Sequence, residues 1–237
     1  MLKDKVALVT GSARGIGKSI LYGLAQEDCF VILHYKKSSK EVREIIKQIR
    51  AQGKKIKAYR ADLTNENESS QLFKQIKKDF GKLDILVNNV GNYLNKNLND
   101  LTIKEWHYII DSNLHSTFYC IKNALPLLRK SKNGRIINIG YASSGVMVAK
   151  PNVLSYQIAK TGVLLMTRAY AKTEAKNKIL TNMISPGYME NSVDFSKKLV
   201  PLRKRGSLKE LTNLVIETIK NNYMTGAHIE YSGGFGI

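Results

Sequence analysis

The sequence of 237 residues is short of cysteine, proline and acid. Its two cysteines, Cys29 and Cys120, stand far apart with no Cys-x-x-Cys and no Cys/His cluster. That excludes a disulfide framework and a metal site of the usual spacing, and both are read as reduced structural thiols. Only four prolines occur, at 126, 151, 186 and 201, and no Pro/Ser-rich linker, low-complexity tract or repeat divides the chain. No apolar run reaches the roughly 20 residues that span a bilayer, and Met1-Leu-Lys-Asp-Lys-Val opens directly into a strand pattern without a signal peptide. With 43% hydrophobic and 24% charged residues, the expectation is one cytoplasmic domain over residues 1–237, with no membrane partner.

Acid is the scarcest class relative to its counterpart: 19 Asp and Glu face 38 Lys and Arg, a net charge of +19. Such a balance suits nucleic acid, an acidic protein or an anionic substrate. Lysine supplies 29 of the 38 cations and is spread along helical stretches, such as residues 36–57 and 74–82. Nucleic-acid readers cluster arginine or interleave cations with aromatics, so a solvated surface is favoured and no nucleic-acid partner is expected.

What the chain does have is alternation. Strand-like runs at Val6–Thr10, Phe30–Tyr35, Lys55–Arg60, Leu83–Asn88, Arg135–Gly140, Ile179–Ile184 and His228–Tyr231 alternate with helical patterns at Ile16–Glu27, Lys40–Ala51, Glu66–Phe80, Ile103–Arg129, Ser155–Lys176 and Leu208–Lys220. The pattern predicts an α/β fold, a doubly wound parallel sheet of about seven strands with helices on both faces. Ligands of such sheets bind outside the carboxyl ends of the strands. The unusual residues collect there: Thr10-Gly11, Asp62, Asn88-Asn-Val-Gly91, Ser143-Ser-Gly145 and Ser185-Pro-Gly187.

Two motifs on that rim carry chemistry. In Lys5-Val-Ala-Leu-Val-Thr-Gly-Ser-Ala-Arg-Gly-Ile-Gly17, glycines at a strand-to-helix turn let the backbone approach a pyrophosphate, which the helix N-terminus then meets with free amides. In Leu154-Ser-Tyr-Gln-Ile-Ala-Lys160, a helix sets Tyr156 and Lys160 on one face. A cation beside a phenol favours the phenolate, so this pair is expected to lower the tyrosine's pKa and ready it for acid–base work. After the second strand comes Leu33-His-Tyr-Lys-Lys-Ser38, with no carboxylate to take a ribose 2′-hydroxyl. Lys36, Lys37, Ser38 and Arg14 instead suit a 2′-phosphate, so NADP(H) and the reductive direction are expected.

Taken in order, Thr10 to Gly17, Asn88 to Gly91, Asn113, Tyr156 with Lys160, Pro186-Gly187 and Thr225-Gly to Ser232-Gly-Gly234 resemble the short-chain dehydrogenase/reductase family over essentially the whole chain. The resemblance implies a Rossmann-like fold and an oxidoreductase in which Tyr156 protonates a carbonyl oxygen. By the same resemblance Lys160 holds the ribose and stabilises the phenolate, and Asn113 anchors a water that refills the proton; pinning a helix bend is the plainer role for Asn113. The implied cofactor contacts are Gly11, Ser12, Arg14, Gly15, Ile16, Gly17, Tyr35, Lys36, Lys37, Ser38, Asp62, Leu63, Asn89, Val90, Gly91, Pro186 and Gly187, joined by Tyr156 and Lys160. Asp62 would recognise the adenine or else cap the next helix.

The family's serine is where the chain departs from the pattern. Counting back thirteen residues from Tyr156 gives Ser143, whereas counting forward along Arg135-Ile-Ile-Asn-Ile-Gly140 gives Tyr141, a two-residue insertion apart. Ser143 is taken as the hydroxyl that binds the substrate carbonyl, with Tyr141 as rival. The general texture is similar to beta-ketoacyl-ACP reductases of fatty-acid synthesis, and Arg129, Lys130, Lys176 and Lys178 would dock an acidic carrier protein. The run His34-Tyr-Lys-Lys-Ser38 followed by Glu41 is similar to pteridine reductases, but no aspartate lies between Gly134 and Tyr156, which favours a carbonyl. Substrate specificity would lie in Tyr188–Ser196, and the resemblance implies a homodimer or homotetramer built on the long helices. A non-catalytic NADP-binding or nucleic-acid-binding module is the alternative of another class, and intact Tyr156, Lys160 and Asn113 argue against it.

Overall fold

The computed structural model describes residues 2–146, 148–192 and 195–236. Its strands are β1 (Val6–Val9), β2 (Phe30–Tyr35), β3 (Ile56–Arg60), β4 (Ile85–Asn88), β5 (Arg135–Ile139), β6 (Leu180–Pro186) and β7 (His228–Tyr231). They form one parallel sheet in the order β3-β2-β1-β4-β5-β6-β7. The expected α/β architecture is therefore present, with the strand order changing direction between β1 and β4.

The central strands are continuous apolar runs because both faces are covered. Alternate side chains feed separate cores. Ala7 and Val9 of β1 pack with α1 (Gly15–Gln26), α2 (Ser39–Ala51) and α7 (Leu208–Lys220). Val6 and Leu8 face α3 (Glu66–Phe80) and α5 (Ser116–Lys130). On that second face α6 (Leu154–Glu174) packs Val163 and Leu164 on Met183 of β6. Cys29 and Cys120 are buried free thiols, each pushed up to about 12 by burial.

The one expected helix over Ile103–Arg129 is not continuous. It comprises α4 (Ile103–Ile110), a π-helical turn at Asp111–His115, and α5. Side chains enter the ladder at the break: Ser112 Oγ donates to the Tyr108 carbonyl (2.7 Å) and Asn113 Nδ2 to the Ile109 carbonyl (2.9 Å). Polar side chains that compete for helix carbonyls widen the turn, and such wide turns cluster at functional sites. No helix among the described residues is long and apolar enough to cross a membrane.

Candidate active site

A cleft of about 870 Å³ lies over the carboxyl ends of β1 and β4, at the switch point of the sheet. Its floor on one side is the turn between β1 and α1. Gly11 and Gly15 take φ of +62° and +56°, which side chains disfavour. A Cβ on Gly17 would sit 2.4 Å from Asn89 Nδ2 and 2.7 Å from the Gly11 carbonyl, so the turn closes only around glycine. Thr10 Oγ1 accepts from the amides of Asn89 (2.9 Å) and Val90 (3.1 Å), while Asn89 Nδ2 donates to the carbonyls of Thr10 (2.9 Å) and Gly11 (3.2 Å). The loop after β4 thus clamps the glycine turn. The first turn of α1 has no side-chain cap and no acid, which leaves its amides for an anion. These features fit a pyrophosphate-bearing dinucleotide.

His34 completes this half, although the sequence reading gave it no role. The Gly11 amide donates to its Nδ1 (3.0 Å), so Nε2 carries the proton and donates to the Ala61 carbonyl (3.0 Å). Burial pushes its pKa down to about 4, and the neutral ring ties the glycine turn to the end of β3. A histidine inside an otherwise apolar strand was the available signal.

Other expected contacts sort less evenly. Arg14, Ile16, Tyr35, Lys37, Ser38, Leu63, Val90, Gly91, Pro186 and Gly187 line the cleft. Ser12 does not: it is buried, and its hydroxyl accepts from the His34 amide (3.3 Å). Lys36 lines the cleft but is ion-paired with Asp62, which leaves Lys37 and Arg14 as the exposed cations at this end. Asp62 also accepts from the amide (3.1 Å) and hydroxyl (2.8 Å) of Thr64. Burial pushes the Asp62 carboxyl up, but its bonds from Lys36 and Thr64 outweigh that and hold it below the usual range. The N-cap of α3 is Asn65, not Asp62.

Lys160 lines the cleft and Asn113 is buried just behind its lining; the two meet at Gly91, where a Cβ would lie 2.2 Å from Asn113 Oδ1 and 3.4 Å from Lys160 Nζ. Asn113 does pin the helix break, and its Nδ2 also donates to the Asn92 carbonyl (2.8 Å). Its Oδ1 is buried with no partner among the described residues, an acceptor suited to a bound hydroxyl or water. Lys160 Nζ donates to the Ile139 carbonyl (2.8 Å) and lies 5.7 Å from the Tyr156 ring centre. Burial lowers Lys160 to about 8.

The expected acidification of Tyr156 is corrected here. Burial, and then the neighbouring phenols Tyr141 and Tyr93, push its pKa above the ordinary tyrosine value. Desolvation of the phenolate dominates, and the shortest bond of Lys160 goes to a backbone carbonyl rather than to the phenol.

The opposite wall is aromatic. Tyr93 and Tyr141 meet the Tyr156 ring edge-on at centroid distances of 5.2 and 5.3 Å. Tyr141 extends to Phe235 (6.2 Å) and Phe235 to Tyr188 (5.1 Å). Ser143, expected on this wall, lies behind it. Its backbone takes φ of +78°, its amide donates to Glu230 Oε1 (2.9 Å), and its hydroxyl accepts from Lys150 Nζ (3.1 Å). The carboxyl-terminal tail covers it, since a Cβ on Gly236 would fall 1.6 Å from Ser143 Oγ. The two extra residues coil into a turn after β5, leaving Tyr141 as the first side chain to reach the cleft. Of the expected substrate segment, Tyr188, Met189, Asn191 and Ser192 line the cleft, while Val193 and Asp194 lie outside the described residues.

The basic patch expected to dock a carrier is misplaced. Lys130 ends α5, and Lys176 and Lys178 follow α6, at the amino edge of the sheet, where the Leu180 amide pairs with the Gly134 carbonyl (3.0 Å). The cleft is at the other edge. Arg129 is moreover held by Glu174 through two bonds of 2.5 and 3.0 Å.

The chain is similar to known proteins over its length. Residues 5–200 match the family model described as short chain dehydrogenase. A 3-oxoacyl-(acyl-carrier-protein) reductase of Staphylococcus aureus is 32% identical, with 99% of each chain covered. One from Synechocystis is 32% identical over 98% of this chain and 97% of its own. Among solved structures, a blue fluorescent protein from a metagenomic library in complex with NADPH superposes with a TM-score of 0.92 at 27% identity, covering 100% of this chain and 99% of its own.

Proposed function

The chain belongs to the short-chain dehydrogenase family and is an oxidoreductase; from that premise we propose that it reduces a carbonyl with NADPH, a 3-oxoacyl thioester on an acyl carrier protein being the substrate. The observation that carries this reading is the convergence of Tyr156 and Lys160 in the cleft with Asn113 behind them at Gly91, its Oδ1 without a partner among the described residues, beside a glycine-built cradle. The full-length likeness to two carrier-linked 3-oxoacyl reductases supports the substrate. The exposed Lys37 and Arg14, with Ser38, would hold the 2′-phosphate, and the glycine turn and α1 amides the pyrophosphate. When bound, the cofactor supplies the hydride.

The residues do the rest. Tyr156 Oη–H donates its proton to the carbonyl oxygen as the carbon gains hydride, so C=O becomes CH–OH. A donor must hold its proton beforehand, which a tyrosine does at neutral pH; burial raises its pKa further and makes it the weaker acid, so transfer relies on the charge of Lys160 to meet the phenolate. Lys160 is placed to offset the phenolate charge that results, and Asn113 Oδ1 to hold a water that returns the proton. Tyr141, in place of Ser143, orients the carbonyl. The substrate would be met in the cytoplasm, by a homodimer or homotetramer packed through the long helices.

A second reading has one observation in its favour. The wall of Tyr93, Tyr141, Tyr188 and Phe235 offers ring faces and edges that suit a flat heterocycle such as a dihydropterin. NADPH oxidation measured with acetoacetyl thioesters and with dihydropterins separates the two. Turnover of the thioester alone supports the first reading, and turnover of the pterin alone replaces it.

A further inference from the structure

The cleft's outer rim is a segment that the motifs did not single out. Lys197-Lys-Leu-Val-Pro-Leu-Arg-Lys-Arg205 carries five cations and no acid in nine residues, and all five are exposed. Some lysines elsewhere meet acids, as in Lys54–Asp28, Lys55–Asp4, Lys57–Asp79 and Lys220–Glu27. None of these five has an ion pair among the described residues. Leu199 and Leu202 stand exposed between them.

The segment is anchored to the cleft on both sides. The Gly206 amide donates to the Tyr188 carbonyl (2.8 Å) and the Leu202 amide to the Gly233 carbonyl (3.1 Å). Arg205 lies 5.0 Å over the Phe195 ring, which in turn packs edge-on against Tyr188 at 5.7 Å. The positive surface therefore begins where the aromatic wall of the cleft ends.

We propose that residues Lys197–Arg205 dock an acidic protein that presents the substrate on a flexible arm, the cations steering the partner and Leu199 and Leu202 supplying apolar contact once it has arrived. This rests on the carrier-linked reading above. It puts the docking surface at the rim rather than at the far ends of α5 and α6. An arm entering over Tyr188 and Phe235 would bring its thioester to Tyr141 and Tyr156, whereas the far patch has the sheet between it and the cleft.

The test pairs binding with turnover. Binding of an acetoacetyl-loaded acyl carrier protein is titrated at low and high salt to the intact chain and to a Lys197→Gln/Lys198→Gln/Lys204→Gln variant, and NADPH oxidation is followed with the neutral acetoacetyl thioester of N-acetylcysteamine. The expected result is carrier binding that weakens with salt and falls at least about tenfold in the variant, with the small thioester turned over equally by both. Equal carrier affinity in the two proteins overturns the docking surface. Salt-sensitive carrier binding without turnover of either thioester keeps the surface and removes the carbonyl reading. Should the variant melt early, the salt titration of the intact chain and a single Lys198→Gln change decide: affinity indifferent to both overturns the proposal.

Discussion

The two halves of the cleft are built from different materials. The cofactor half is backbone: glycines at positive φ, amides at the start of α1, and carbonyls clamped by Thr10, Asn89 and His34. The substrate half is side chain: four aromatic rings, a coiled turn after β5, and a tail laid over Ser143. Backbone geometry tolerates almost no substitution, whereas a side-chain wall is rebuilt by a single exchange. The first half should therefore fail by losing the cofactor, and the second by losing turnover with the cofactor still bound.

The largest expected effect breaks the second half alone. Tyr156→Phe should lower kcat by about a thousandfold or more, within the range for removal of a general acid, while the NADPH Kd stays within about twofold. Fluorescence titration of NADPH beside steady-state rates reads both. In the first half, Gly17→Ala drives a Cβ into Asn89 and the Gly11 carbonyl and should raise the NADPH Kd by at least about tenfold, with stability reduced by about 1–3 kcal/mol. Unchanged NADPH binding in that variant would mean the turn is not the cradle.

Tyr141→Phe and Ser143→Ala sharpen the contrast within the wall. Loss of one orienting hydrogen bond should cost Tyr141→Phe about tenfold in kcat/KM. Ser143→Ala should stay within about twofold, because its hydroxyl faces Lys150 and the tail. The reverse outcome restores the serine.

The remaining effect is on stability rather than on binding or turnover. His34 has a folded pKa of about 4 against about 6.5 unfolded, so the unfolded chain binds the proton first. Its contribution is present above about pH 6.5 and is lost as pH falls towards 4, on the order of 3 kcal/mol in all. Melting temperatures of the intact chain between pH 7 and 4 should fall more steeply than those of His34→Gln. Parallel curves would mean that the ring is not buried neutral.

This division explains what could be read beforehand. The sheet, the glycine turn and the Tyr156–Lys160 pair were legible because continuous apolar runs, Gly11 to Gly17 and a four-residue helical spacing each map directly onto geometry. Ser143 misled because counting residues cannot show that two of them coil into a turn with φ of +78°. Lys36 and Ser12 looked available until their own neighbours, Asp62 and His34, took them. The aromatic wall draws Tyr93, Tyr141, Tyr188 and Phe235 from four separate segments, which no local pattern joins. The break at Asp111–His115 was likewise hidden in a smooth apolar period, since Ser112 and Asn113 act through their own side chains on the preceding turn.

The central claim is that burial in the cleft, beside Tyr93 and Tyr141, holds the Tyr156 phenol protonated. Ultraviolet titration of the intact chain minus Tyr156→Phe isolates that one phenol among twelve tyrosines. The account predicts ionisation above the ordinary tyrosine value of about 10. Ionisation near neutrality would contradict it.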